Sequence, residues 1–400
     1  MGRLLDGKWI QQDLGTDAEG RYVRQVTQFR HKFTAGNTPS SSDDKTDDET
    51  TDSTTTFPVP NKDDQRYLLL VGSPCGWSHR VLLVRALKGL ESCIPVIFTD
   101  AFMGEDGWTF DGHTQEKEDN NEVDDGDKKR PAKVRKVDDK KEHQDSKGKE
   151  KETEQKKGGG LTAQELYLDP SSAGYSDGNQ TIVTKLHELY VLAKSDYTGR
   201  ASVPVLWDRQ LGTIVNNESS ELVVMLNALP SSTKTLLEEI SPDLQAQIQD
   251  MTDTNYTAIN NGVYKCGFAN SQEAYTEAAT ALFERLDELE ALLGRQRYLC
   301  STDKPTMADV CLFPTLFRFD MIYYTHFKCN HKHIYEYPNL WGWTREMYQL
   351  PGVAATCKMD ECCIHYYTSH ESIHPRRYIP LGPTLDFEAL HRRDEFAYKA

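Results

Sequence analysis

Between Asp111 and Gly160 the chain carries fifteen acidic and fourteen basic residues and almost nothing apolar, ending in Gly158-Gly159-Gly160. Such a stretch cannot bury enough area to offset the entropy of ordering it. Whatever packs must therefore be assembled from the segments on either side, around a solvated insertion expected over 111–165. Within it, Lys128-Lys129-Arg130-Pro131-Ala132-Lys133-Val134-Arg135-Lys136 has the form of a nuclear-localisation tract, with a plain solvated charge run as the commoner explanation.

At 400 residues the chain has room for two domains plus extensions. An apolar fraction of 38% is below the globular average, as expected when part of a chain is unpacked. The net charge of -16 argues against a nucleic-acid binder acting through general electrostatics. No run of about 20 apolar residues is present, so no membrane span is expected. The N-terminus lacks the apolar core of a signal peptide, and the default expectation is a cytoplasmic protein. Nine cysteines, an odd number, do not make the even framework of a disulfide-stapled domain. Cys266, Cys300 and Cys311 sit among apolar neighbours and read as buried thiols.

Residues 1–34, with Trp9, Tyr22, Phe29 and Phe33, are expected to pack on the core as an extension. A disordered connector follows over 35–63, rich in Ser, Thr and Asp. From 64 to 227 the pattern is that of a thioredoxin-like α/β domain. Tyr67–Val71 reads as a buried strand, Trp77–Leu90 as a helix stopped by Lys88-Gly89, and Ile94–Phe98 as a second strand. After the insertion come a helix over Ile182–Leu192, strands at Ser202–Trp207 and Gly212–Val215, and a helix over Glu218–Leu226. Residues 228–375 are expected to be all-helical, with Ala274–Leu293, Ala308–Phe319 and Leu340–Gln349 as helices. The tail, 376–400, is expected to lie partly extended over the surface.

Cys75 joins a strand to a helix. A thiol there meets the positive end of the helix dipole and free backbone N–H groups, which favour the nucleophilic thiolate. Ser78 occupies the place of a second thiol at Cys-x-x-Cys spacing, so an external thiol, glutathione, must resolve any mixed disulfide. Val203-Pro204 at the head of a strand suits the cis-proline that faces the nucleophile in thioredoxin-like folds. Glu218-Ser219 opens a helix and can meet the two charges at the γ-glutamyl end of glutathione, the alternative being a simple cap at Ser219. Cys362-Cys363-x-His365 with His370 and His374 fits no zinc spacing, and no metal is expected.

With these motifs in place the chain resembles the glutathionyl-hydroquinone reductases, the Xi-class, omega-like glutathione transferases. The resemblance runs through Cys75-Gly76-Trp77-Ser78-His79-Arg80, Gly107–Phe110, Tyr197–Arg200, Val203–Asp208, Asn216–Ser220, Asn261–Ala269, Arg318-Phe319-Asp320, His326–Asn330 and His365–His370. It implies the glutathione transferase fold, a dimer paired through the helical domain, and removal of glutathione from quinone-derived aromatics. Cys75 would attack the glutathionyl sulfur, and a second glutathione would release the disulfide. Trp77, Val203, Pro204, Glu218 and Ser219 would hold glutathione, with Arg80 near its glycyl carboxylate. Tyr264 and one of Tyr366 and Tyr367 would face the quinone. Gly76 stands where the family has Pro. The alternatives are an omega-like thiol transferase acting on disulfides and a non-catalytic scaffold.

Overall fold

The computed structural model describes residues 2–12, 15–34, 56–61, 65–110, 160–168, 182–230, 241–301 and 303–398. Most of the connector expected at 35–63, the insertion from 111 to 159 and the basic tract 128–136 lie outside the described residues.

The run Tyr67–Val71 is strand β3, after a hairpin of β1 (Gly2–Leu5) and β2 (Lys8–Gln11) that the apolar pattern did not disclose. Its signal was Asp6-Gly7, where both residues take positive φ as a two-residue turn between paired strands requires. All five residues of β3 are buried. Tyr67, Leu69 and Val71 face one core, Leu68 and Leu70 the other, so the strand is apolar throughout because both sheet faces are covered. Truncating Leu69 or Leu70 to Ala would cost about 2–5 kcal/mol.

Helix α1 (Gly76–Leu87) and β4 (Val96–Phe98) follow, with β4 parallel to β3. Gly89, at φ 61, ends α1 where the sequence placed the stop. After α2 (Ala163–Leu166) and α3 (Leu186–Ala193), β5 (Val205–Asp208) and β6 (Thr213–Asn216) complete a sheet ordered β4-β3-β5-β6, with both later pairings antiparallel. Helix α4 (Ser219–Asn227) closes this part.

Two expectations are corrected here. The helix predicted from Ile182 begins at Leu186, because the Glu188 carboxylate accepts from the Thr184 and Lys185 N–H groups and so sets the first turn. Val183 instead pairs with Leu161. That pairing also ends the solvated stretch early: Leu161 and Leu166 are buried against the outer face of the sheet, so 160–165 is packed.

The remainder is helical: α5 (Pro242–Asn255), α6 (Gly262–Gly267), α7 (Gln272–Leu293), α8 (Met307–Arg318), α9 (Tyr324–His326), α10 (Pro338–Gln349), α11 (Val353–Thr356) and α12 (Met359–Ser369). Single π-helical turns at Tyr256–Asn260 and Phe319–Tyr323 interrupt the longer runs, a feature often found beside functional sites. One apolar cluster runs from the inner sheet face through α1 and α4 to Leu282, Phe313 and Trp343. Helix α1 is therefore buried on nearly every side, which explains its weak amphipathic pattern. The tail is more than a surface strap: Arg393 is 2% exposed and donates to the carbonyls of Leu293, Gln296 and Arg297.

Candidate active site

Cys75 is the N-cap of α1, at φ -74 and ψ 119, reached by a tight loop from the end of β3. The half-buried thiol lies 3.7 Å from the Val203 carbonyl oxygen, and the Val203–Pro204 peptide is cis. Tyr190 on α3 keeps that loop in place. Its hydroxyl donates to Ser202 O at 2.6 Å and accepts from Asn217 Nδ2 at 2.9 Å, tying the cis-proline loop to the start of α4.

Glu218 is the N-cap of α4; Ser219 is not, contrary to the simple capping alternative. One carboxylate oxygen accepts from the Ser220 N–H at 3.1 Å and its hydroxyl at 2.9 Å, the other from Thr27 Oγ1 at 3.0 Å. Burial opposes the charge, but the Ser220 and Thr27 hydrogen bonds and the Arg80 charge outweigh it and hold this carboxyl below its usual range. Ser219 is 5% exposed and accepts from Arg80 at 3.1 and 2.5 Å. Arg80 itself is 4% exposed and lies 4.7 Å from the centre of the Trp77 ring. It braces Ser219 and Trp77 and lines the small cavity beside Tyr264 and Tyr323. A second, half-buried guanidinium, that of Arg24, lies 4.0 Å from the centre of the same ring. Nothing in the sequence pattern singled out Arg24 or Thr27, since both come from the extension.

Three tyrosines converge on Trp77 and the Cys75-Gly76 turn. The Trp77 and Tyr264 rings stack with centroids 6.0 Å apart. Tyr366 Oη lies 2.8 Å from Tyr264 Oη and 3.1 Å from Tyr323 Oη. A side chain added at Gly76 would meet the Tyr323 hydroxyl at 3.8 Å. Tyr323, on the π-helical turn, was not anticipated. Burial, and then the Cys75 charge, raise the Tyr264 pKa; burial, and then the Tyr264 charge, raise those of Tyr323 and Tyr366 still further. The cluster stays protonated at neutral pH and acts as a set of hydroxyl donors. Tyr264 alone of the three keeps part of its surface open. Of the two neighbours Tyr366 and Tyr367, Tyr366 joins the cluster and Tyr367 stands apart from it, its hydroxyl donating to the Met321 carbonyl at 2.7 Å.

Cys362, His365 and His370 each face a different partner. Cys362 Sγ faces the Ser73 and Pro74 carbonyls, His365 Nδ1 faces Ala101 O, and His370 Nδ1 faces His326 Nε2 at 3.0 Å. Cys266 and Cys311 are buried as expected, whereas Cys300 is half-buried.

A family model for the glutathione S-transferase N-terminal domain matches residues 74–229, and one for the C-terminal domain matches 272–346. The glutathionyl-hydroquinone reductase YqjG of Escherichia coli K12 is 36% identical over 396 residues, covering 98% of this chain and 99% of its own. The chain belongs to the glutathione transferases, in the branch of the glutathionyl-hydroquinone reductases. The structure of the Xi-class transferase from Natrialba magadii superposes with a TM-score of 0.70 at 36% identity, covering 99% of this chain and 97% of that one. The glutathione-bound structure of YqjG from Escherichia coli K-12 superposes with a TM-score of 0.69 at 34% identity, covering 98% and 99%. In this Xi-class chain the tyrosine cluster comes entirely from the helical domain and the thiol from the thioredoxin-like domain, so the site exists only where the two meet. Among the described residues no helix is long and apolar enough to cross a membrane.

Proposed function

We propose that this protein removes glutathione from glutathionyl-hydroquinones. The observation that carries the reading is the Tyr264-Tyr366-Tyr323 hydroxyl cluster stacked beside Trp77 and the Cys75 turn. Cys75 Sγ, as thiolate, attacks the glutathionyl sulfur. The S–S bond forms, the aromatic C–S bond breaks, and its electron pair stays on the ring carbon, which takes a proton. A second glutathione thiolate then attacks the mixed disulfide, giving oxidised glutathione and free Cys75. The tyrosine hydroxyls hydrogen-bond the hydroquinone oxygen and supply the proton, with Tyr264 in contact.

Glutathione lies along the Val203 backbone, with Glu218 meeting its ammonium group and the first turn of α4 its γ-glutamyl carboxylate. Arg24 is the better placed guanidinium for the glycyl carboxylate. All nine cysteines are free thiols, which suits a reducing, cytoplasmic setting. The functional unit is a homodimer, to be checked by light scattering.

The test is turnover of a glutathionyl-hydroquinone, with free hydroquinone and oxidised glutathione appearing in equal amounts. Cys75→Ser should lose essentially all of it, and more than a tenth of wild-type turnover in that variant would remove Cys75 from the role. An omega-like thiol transferase has no use for an aromatic proton donor. Turnover of mixed disulfides alone would favour that reading.

A further inference from the structure

Arg318, at the C-terminal end of α8, is 0% exposed and sits at the junction of the two domains. Its Nε donates to the Pro74 carbonyl and Nη2 to the Ser73 carbonyl, each at 2.9 Å, while Nη1 donates to Pro314 O at 2.9 Å. Nη1 also faces His79 Nδ1 at 2.8 Å, and Cys362 is within hydrogen-bonding reach. The five N–H donors of the guanidinium thus meet three carbonyls, one imidazole and one thiol. Among the described residues no carboxylate comes within ion-pair distance of it.

His79 cannot supply a compensating charge. The Thr356 hydroxyl donates to Val353 O at 2.7 Å, so His79 Nε2 must donate to Thr356 Oγ1 at 2.9 Å, leaving Nδ1 as the acceptor for Arg318. Burial, and then the Arg318 charge, hold His79 neutral. A buried cation without a counter-charge is costly and keeps its field uncancelled over short range. Two of its acceptors are the carbonyls of the residues that lead directly into Cys75.

We propose that Arg318 is the positioning residue for the nucleophile, clamping the Ser73-Pro74 carbonyls from the helical domain and setting a fixed positive charge behind the Cys75 turn. The proposal deepens the reading above and rests on Cys75 as the nucleophile. Other groups share this field. Cys362 and Tyr264 interact electrostatically with Cys75, and both disfavour its anion when charged. Tyr323, Tyr366, Cys357 and His365 also sense Arg318, and burial keeps each of them neutral. The Glu361 carboxylate accepts from the Ser73 hydroxyl and opposes a thiolate. Arg80 and Arg24, stacked on Trp77, favour one. Among these groups Arg318 alone is a cation bonded to the loop, and it holds the backbone carbonyls where Glu361 meets only a side-chain hydroxyl.

The test uses alkylation of Cys75 by iodoacetamide against pH, read on the Cys75 peptide by mass spectrometry, with Cys75→Ser as the blank. No quinone enters the labelling, so failure of the hydroquinone reading leaves that arm intact, and turnover is read on whichever glutathionylated compound the wild-type protein deglutathionylates. Arg318→Gln keeps hydrogen-bond donors and loses the charge. It should move the labelling midpoint up by about one pH unit, a roughly tenfold loss of thiolate at any pH well below both midpoints. Arg318→Lys keeps the charge but cannot span the acceptors. It should hold the midpoint near wild type while turnover falls about tenfold or more. A folded Arg318→Gln protein with the wild-type midpoint overturns the proposal. Should Arg318→Gln fail to fold, Arg318→Lys decides alone: wild-type turnover in that variant overturns the clamp, and the tenfold loss at an unchanged midpoint supports it.

Discussion

The hydroxyls of Tyr264 and Tyr366 lie 2.8 Å apart although 102 positions separate them in the chain. Two phenols kept protonated by burial, the outer one partly open, form a donor that a hydroquinone oxygen can meet without reorganisation. Tyr264→Phe and Tyr366→Phe should each lower kcat on a glutathionyl-hydroquinone by about 10²-fold. The dissociation constant for glutathione should stay near wild type, because its contacts come from the other domain. Tyr367→Phe removes the hydroxyl's bonds to Met321 O and Thr325 and should cost about 1 kcal/mol of stability with turnover intact. Wild-type kcat in both site variants would sink the hydroquinone reading.

Gly76 occupies the first position of α1, where proline is well tolerated because its N–H has no intrahelical partner. Cys75 already has the extended backbone that a following proline demands. A side chain at Gly76 would meet nothing closer than the Tyr323 hydroxyl at 3.8 Å. Gly76→Pro should therefore stabilise the protein by about 0.4–1 kcal/mol through the unfolded chain, a rise of about 1–3 °C in Tm by calorimetry. Cys75 labelling should be unchanged. A lower Tm would show that the Gly76 N–H is needed.

Four buried histidines make the fold sensitive to acid. Burial drives the pKa of His326 down to about 3 and that of His365 to about 4, and holds His79 and His370 well below normal. With folded values depressed, the unfolded chain binds the extra protons, so stability is complete above the unfolded value of about 6.5 and drains away as pH falls toward 4. Each histidine contributes up to about 1.4 kcal/mol per pH unit in that window. Urea midpoints should be flat above pH 7 and fall steeply from 6.5 to 5. A flat profile down to pH 5 would mean that these side chains gain protons without unfolding.

The two ends of the insertion meet. Gly160 N–H donates to the Phe110 carbonyl at 3.3 Å, and Leu161 and Val183 exchange both backbone hydrogen bonds, at 2.7 and 2.9 Å. Replacing residues 111–159 by about four Gly and Ser residues spans that closure as a short hairpin loop. The shortened protein should fold with wild-type turnover, measured on the same substrate. An insoluble or inactive product would reveal a structural role for the insertion.

Local signals were enough to put Cys75 at a strand–helix junction. A five-residue apolar run covered on both faces reads as a strand, the next apolar residues recur at helical spacing, and Cys75 falls at the junction. Each of those readings needs only neighbours in sequence. The hairpin at Gly2–Gln11 also carries a local signal, the Asp6-Gly7 turn. The tyrosine site was not. Tyr366 and Tyr367 are adjacent on α12 and equally buried, at 2% exposure each, so no periodicity distinguishes them. Their side chains leave the helix about 100° apart, and only the packing of α12 on the turn at Phe319–Tyr323 decides that Tyr366 meets Tyr264 while Tyr367 meets a backbone carbonyl. The same holds for Arg318 and Arg24. A charge acquires a role from what surrounds it in space, and those surroundings come from segments hundreds of residues away or, for Arg24, from an extension draped across the domain boundary.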